Sequence, residues 1–409
     1  MGDFQHIEGR RLPGKIDSPR FEELENEFVQ SGGEWQKVRI GELFEIHPTK
    51  NYGITNTKLF EKKGKTPVIV NSSFNNGVGG YVDLQPLEKG GIITFSDTTT
   101  SDSIFYQKQD FIGYSHVQGM YPYDKVKWTD NSLIYVCIAF RKSTKGLFDY
   151  GNKFNRDKAK EMIITLPFLN GELCFSYMER YIAKVELAHL EALDAYLQNT
   201  GVKDCELSFD EMQVLERFEK PSTVKTGSFL LGDIFNITSS KQKFNADSLN
   251  FGGKYPYIAR GESNNGVRGY IDEDKSFLND GNTISFGQDT ATMFYQAVPY
   301  FTGDKIKVLR AKGFTLNRYL ALYAIATTKK MLNTFSWGST SYKLSNLENI
   351  EIELPIKTEG DTTPDYCLMQ TFIKVMEKLV IKDVVDWLNE RIEEIKDMIQ
   401  NNSKTRRFL

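Results

Sequence analysis

Carboxylates beside a lysine could hold magnesium for phosphodiester cleavage, and the nearest approach to such a cluster is Asp383 with Glu394-Ile395-Lys396. These residues fall in a stretch of helical periodicity, where Glu394 and Lys396 are only two apart and face different directions. Cleavage by this set is not expected. Methyl transfer to an amino group would call for an Asn-Pro-Pro-Tyr or Asp-Pro-Pro-Tyr loop and a glycine fingerprint between strand and helix, and neither is present. The histidines, His6, His47, His116 and His189, share no motif, and no serine or cysteine has a recognisable base. Cys137, Cys174, Cys205 and Cys367 are far apart and unaccompanied by clustered histidines, which points to buried free thiols rather than disulfides or zinc. No catalytic residue, metal or cofactor is expected, so binding is the default.

The elements that would present a binding surface come twice. Asn75-Asn76-Gly77-Val78-Gly79-Gly80-Tyr81 returns as Asn264-Asn265-Gly266-Val267-Arg268-Gly269-Tyr270. In the same order, Ile40-Gly41-Glu42-Leu43-Phe44-Glu45-Ile46 pairs with Leu231-Gly232-Asp233-Ile234-Phe235-Asn236-Ile237, and Phe105-Tyr106-Gln107 with Phe294-Tyr295-Gln296. Ile163-Ile164-Thr165-Leu166-Pro167 and the run Ile350 to Pro355 share a Leu-Pro end. One unit of about half the chain has been duplicated, far longer than a solenoid repeat. Within each unit, short β-rich runs lie between Gly and Asn clusters, as strands joined by tight turns would. Asn-Asn-Gly reads mainly as a turn, because Asn and Gly tolerate positive φ. Helices are expected near Ser132 to Phe140 and Arg318 to Lys329.

After each Leu-Pro end the period changes to about 3.6. Met178, Ile182, Val185, Leu190, Leu193 and Leu197 form one apolar face, and Val380, Val384, Leu388, Ile392, Ile395 and Ile399 another. These long helices would pack on each other, or else each would cover its own domain. Ser208-Phe209-Asp210-Glu211 has the form of a capping box. Ser18-Pro19 could start a helix ending at Gly32-Gly33, outside the repeat and of no readable role. The resulting division is an N-terminal extension (1–34), a first domain (35–168), a helical spacer and linker (169–225), a second domain (226–357) and a C-terminal helical spacer (358–409).

A net charge of −3 argues against indiscriminate nucleic-acid binding, yet the charge is segregated. Residues 35–168 hold 18 Lys and Arg against 13 Asp and Glu, and residues 226–357 hold 15 against 12, so the remainder is acidic. Two mildly basic blocks would suit phosphate, although ordinary surface variation gives the same pattern. No run of about 18 apolar residues and no secretory leader is present, so a cytoplasmic protein is expected.

A domain opening with Ile-Gly-Glu-Leu-Phe-Glu-Ile and closing with Leu-Pro before a long helix, repeated once, resembles the specificity subunit of type I restriction-modification enzymes. The second copy matches more clearly, through Gly287-Gln288-Asp289-Thr290-Ala291-Thr292 before Phe294-Tyr295-Gln296 and Gly338-Ser339-Thr340 before Leu354-Pro355. The resemblance covers roughly residues 35–400. It implies an α/β (α+β) chain of two β-rich target recognition domains, joined by two long helices in an antiparallel coiled coil with pseudo-twofold symmetry. It further implies that each domain reads half of a split double-stranded DNA target, and that adenine methyltransferase and restriction subunits dock on the helices. A helix of about 25 residues spans about 38 Å, close to the roughly 34 Å of one DNA turn. The first copy departs from the pattern, having Asp149-Tyr150-Gly151-Asn152-Lys153-Phe154-Asn155 where the second has Ser336 to Tyr342. The host system could be type I or a relative whose single partner both methylates and cuts.

On that resemblance, phosphate contact needs Lys and Arg, while base readout needs planar or bidentate groups. The candidates in the first copy are Lys50, Lys58, Lys62, Lys63, Arg141, Lys142, Lys153, Asn155 and Arg156. In the second they are Lys241, Lys243, Arg260, Arg268, Gln288, Lys329, Lys330, Ser339, Thr340, Tyr342 and Lys343. Trp337 could stack on a base or pack in the core. The competing reading is a tandem β-rich module for carbohydrate or protein, which would not explain the mirrored long helices.

Overall fold

A computed structural model describes residues 19–98, 100–124, 127–332 and 344–404, which form two compact units. The first comprises the chain up to Tyr196 together with residues from Trp387 onward; the second is Leu197–Asp386.

The first unit contains, in order, α1 (Pro19–Gln30), β1 (Glu34–Arg39), α2 (Ile40–Leu43), β2 (Phe44–Pro48), α3 (Asn56–Leu59), β3 (Lys63–Ile69), β4 (Val78–Val82), β5 (Ile92–Ser96), β6 (Phe105–Gln107) and β7 (Val117–Pro122). There follow α4 (Asp130–Thr144), α5 (Arg156–Glu161), β8 (Ile163–Leu169), β9 (Glu172–Leu173) and most of α6 (Phe175–Asn199). Its main sheet is antiparallel in the order β2-β7-β5-β6, and β3-β4 forms a separate hairpin. Every residue of β5 is buried, as its run Ile-Ile-Thr-Phe-Ser suits, and α4 packs beside it through Leu133, Val136 and Phe140. Phe44, Phe95 and Phe154 complete that core.

The second unit repeats this plan: α7 (Phe209–Glu219), β10 (Thr226–Leu230), α8 (Leu231–Ile234), β11 (Phe235–Ser239), β12 (Tyr255–Ile258), β13 (Val267–Ile271), β14 (Thr283–Gly287), β15 (Thr292–Gln296), β16 (Phe301–Thr302) and β17 (Ile306–Ala311). Then come α9 (Arg318–Leu332), α10 (Leu344–Glu348), β18 (Glu351–Pro355) and α11 (Tyr366–Lys404). Its sheet order, β11-β17-β14-β15, is that of the first unit.

Both shared sequence ends have a structural cause. β1 pairs antiparallel with β8, setting Trp35 against Pro167, and β10 pairs with β18, setting Thr226 against Pro355. The opening and the Leu-Pro close of each domain are therefore neighbours on one seam. The glycine after each seam is required by close approach: a Cβ on Gly41 would lie 3.1 Å from the Lys160 carbonyl oxygen, and one on Gly232 2.9 Å from that of Glu348.

The helix before each domain belongs to the repeat as well, which corrects the expectation that the first lies outside it. In the first unit Phe28 of α1 packs on Tyr177 at 4.5 Å, and Tyr135 of α4 on Tyr181 at 5.4 Å. In the second, Phe218 of α7 stacks on Phe372 at 3.8 Å, with Tyr323 of α9 at 6.1 Å from Phe372. An ion pair joins each preceding helix to its long helix, Arg180 to Glu27 at 2.6 Å and Lys378 to Glu211 at 2.8 Å. The Ser208 side chain and Glu211 make the capping box at the start of α7.

On α6, Ala183, Leu187 and Leu190 are buried at alternating steps of four and three, as are Leu388, Ile392 and Ile395 on α11. Arg391 grips Glu186 through two bonds of 2.8 and 3.0 Å, and seven residues on, Met398 shares a cleft with Glu179 and Glu186. Met178, Ile182 and Leu197 are buried, Val185 and Ile399 half-buried, and Leu193 is partly exposed. Val380 and Val384, expected on the apolar face, are instead exposed, and Val375 and Val385 take the buried positions. Among the described residues no helix is long and apolar enough to cross a membrane.

Candidate nucleic-acid interface

Each domain builds one edge from the loop after its first hairpin strand, the loop closing its central strand, and the last turn of its first long domain helix. The repeated Asn-Asn-Gly anchors the first of these loops. Asn75, Asn76 and Gly77 all have positive φ, at 49°, 53° and 76°, and Asn264, Asn265 and Gly266 repeat this at 50°, 54° and 75°. Asn76 Nδ2 donates to the Tyr106 carbonyl at 3.0 Å, while Gln107 Nε2 donates to the Asn76 carbonyl at 3.1 Å and to Thr94 Oγ1 at 2.9 Å. In the second domain Asn265 donates to the Tyr295 carbonyl, and Gln296 to the Asn265 carbonyl and to Ser285. The two short motifs recur together because they form one hydrogen-bonded joint.

On this joint the domains carry cations at matching places. Arg141, near the end of α4, donates to the Ile104 carbonyl at 3.0 Å and lies 5.1 Å from the Phe105 ring centroid. Lys329, near the end of α9, lies 5.7 Å from the ring of Phe294. Lys142 and Lys330 follow them, exposed, on the same last turns.

In the second domain Lys243, Arg260 and Arg268 converge on a cleft of about 320 Å³ that also contains Tyr257 and Asp304. Lys243 pairs with Asp304 at 3.0 Å. Arg260 pairs with Asp289 on the loop between β14 and β15, and Lys305 reaches the same carboxylate at 2.9 Å. Lys305, and secondarily Arg260, hold the Asp289 carboxyl below the ordinary carboxylate range. The backbone of Lys305 is left-handed, with φ 58°. Its carbonyl accepts from the half-buried Gln288 N–H at 2.9 Å.

The first domain has the same corner in different chemistry. His116, also left-handed at φ 64°, accepts through its carbonyl from the Asp97 N–H, and its Nδ1 lies 3.2 Å from Asp97 Oδ1. Gln118 Nε2 donates to the other Asp97 oxygen at 2.8 Å. Neither Lys305 nor this Asp97 corner stands out in the sequence; a lysine held at positive φ shows only in the backbone.

The remaining candidates are dispersed or already engaged. Lys50 and Lys241 begin equivalent loops, their N–H groups donating to Glu88 and Asn279 and their side chains exposed. Lys62 and Lys63 are exposed where β3 begins, at the end of the hairpin opposite the Asn-Asn-Gly loop, and Lys58 is exposed on α3. Asn155 is the N-cap of α5, its Oδ1 accepting from the Lys158 N–H at 2.9 Å, and half-buried Arg156 follows it. Lys153 lies 4.7 Å from the Tyr150 ring. Ser339, Thr340, Tyr342 and Lys343, with Trp337, lie outside the described residues. Among the described residues no cluster of His, Cys, Asp or Glu could hold a metal ion, and burial pushes the Cys137 thiol up to about 12.

A β-rich domain, its preceding helix and its following long helix, used twice with differently charged edges, define a duplicated recognition protein. The chain belongs to the type I restriction modification DNA specificity domain family, which matches residues 32–194 and 223–395. It is similar to the type II restriction enzyme BgcI specificity subunit S.BcgI of Heyndrickxia coagulans, 25% identical over 346 residues, 84% of this chain and 94% of that one. Among solved structures it is similar to the type I restriction-modification S subunit of M. genitalium, at 15% identity and TM-score 0.46, covering 90% of this chain and 95% of that chain. The HsdS subunit of Thermoanaerobacter tengcongensis matches at 18% identity and TM-score 0.30, with coverage of 90% and 95%. Both family matches begin after α1 and α7.

Proposed function

We propose that this chain is the specificity subunit of a restriction-modification system, acting in the cytoplasm, in which each domain reads one half of a split double-stranded DNA target. The observation that carries the reading is one scaffold used twice with unlike edges: Arg260, Lys305 and Asp289 in one copy occupy the corner held by His116, Asp97 and Gln118 in the other. Identical edges would suit two identical half-sites; unlike edges suit half-sites of different sequence. The chain supplies recognition, while adenine methyltransferase and restriction subunits, bound along the long helices, supply the chemistry. The grip of Arg391 on Glu186 and the alternating buried positions support an antiparallel coiled coil there. The exposed stripe Met376, Val380 and Val384 on α11, at steps of four, is the partner-binding face.

The test is co-purification with an adenine methyltransferase encoded beside this gene, followed by sequencing of methylated adenines in host DNA. A split motif is expected, and replacing residues 226–357 by another recognition domain changes one half alone. Methylation unaltered by deletion of the gene refutes the proposal and returns a carbohydrate- or protein-binding role to first place. The number of chains that co-purify tells a system with separate methylating and cutting partners from one in which a single partner does both.

A further inference from the structure

Phe74 is 79% exposed, at the tip of the loop between β3 and β4. Its backbone is fixed on both sides. The Phe74 N–H donates to Ser72 Oγ at 3.1 Å, its carbonyl accepts from the Gly77 N–H at 2.9 Å, and the Gly77 carbonyl accepts from Val70 at 2.8 Å. The three left-handed residues that follow are tied through Asn76 to the carbonyl of Tyr106. The ring is therefore presented to solvent by a rigid loop.

The second domain supplies an internal control. Its loop keeps the same three left-handed residues and the same bond to Tyr295, yet the position before Asn264 is Ser263. The fold thus has no need of an aromatic side chain there. The same loop joins β6, where Arg141 lies over Phe105, so Phe74 is continuous with the cation-bearing edge of its domain. A preorganised apolar side chain beside a cation-bearing edge has an apolar target on DNA in the thymine methyl group of the major groove.

We infer that Phe74 is a base-reading residue, contacting a thymine C5-methyl in the first half-site, and that the first domain adds to its cations an apolar contact that the second domain lacks. The inference rests on the specificity-subunit reading. It adds a base and a side chain to it.

Once the target is mapped, the complex with its methyltransferase is titrated with target duplexes in which each first-half thymine is replaced in turn by uracil. One replacement should weaken binding about fourfold, the loss expected for one methyl-sized group left unburied. Phe74→Ser, which installs the residue of the second copy, should weaken binding to the thymine duplex and abolish the thymine-over-uracil preference. It should leave nonspecific binding, its salt dependence and the unfolding midpoint unchanged. A first half-site without thymine, equal binding of thymine and uracil duplexes by the unaltered protein, or a preference that survives Phe74→Ser overturns the inference while leaving the specificity-subunit reading intact. Absence of any sequence-specific binding overturns both.

Discussion

Replacing Asp289 by Asn removes the carboxylate that holds both Arg260 and Lys305. If those cations face DNA, releasing one or both adds one or two to the number of phosphates the domain neutralises. The slope of log K against log salt then steepens by about 0.9 or about 1.8. Across a fourfold rise in salt, this is an extra loss of about 3.5-fold or about 12-fold in affinity for nonspecific duplex. Affinity at low salt rises, while discrimination against nonspecific DNA falls. Fluorescence anisotropy on a labelled duplex of scrambled sequence, at several salt concentrations, measures both. Because Lys305 and Arg260 hold the Asp289 carboxyl below its ordinary range, the unaltered protein keeps it charged down to about pH 5, and its slope there should match that at about pH 7.5. A slope for Asp289→Asn equal to that of the unaltered protein refutes the placement of Arg260 and Lys305 on the DNA-facing edge.

Four further outcomes are expected. Gln107→Ala leaves the Asn76 carbonyl and the Thr94 hydroxyl without their shared donor and opens a small void, destabilising the first domain by about 2 kcal/mol in denaturant unfolding. Gly232→Ala forces a Cβ to 2.9 Å from the Glu348 carbonyl oxygen and should lower the melting temperature more than Gly41→Ala, at about 1–3 kcal/mol for such overpacking. Glu27→Gln removes the carboxylate from Arg180, which is 5% exposed; with Glu27 itself a third exposed the loss is about 2–3 kcal/mol, read as earlier proteolysis at α1. Val380→Glu, at a site 72% exposed, should alter unfolding by less than about 0.5 kcal/mol yet prevent co-purification with the methyltransferase.

Much of the fold is legible in the sequence because the repeat is carried by residues whose backbone roles allow few substitutes. Asn76 and Asn265 must be left-handed, Gly41 and Gly232 must lack a side chain, and Gln107 and Gln296 must bridge a loop and a strand. The equivalence of α1 and α7 is not legible, because a surface helix is held by one face. Phe28 and Phe218 keep their places while the residues between them are free to diverge. The slip from Val380 and Val384 to Val375 and Val385 has a related origin: several apolar stripes can be drawn on α11, and only packing selects one. For the candidate interface, residue type points to Arg141, Lys329 and Arg260, but their anchoring on Phe105, Phe294 and Asp289 depends on segments far apart in sequence. Phe74 is missed for the opposite reason, since an aromatic beside a turn reads as core until its exposure is known.

The seam between β1 and β8, and its twin between β10 and β18, brings the entry and exit of each domain side by side. If each domain reads a half-site as proposed, this arrangement would let it be exchanged as a cassette: a recombination crossover in each seam strand would bring in a new reading head and leave the adjoining helices in register. Selection on a host facing new invading DNA would then act on whole recognition domains more readily than on single contacts, and the side chains preserved at the seams would be those that let unrelated cassettes fit the same socket.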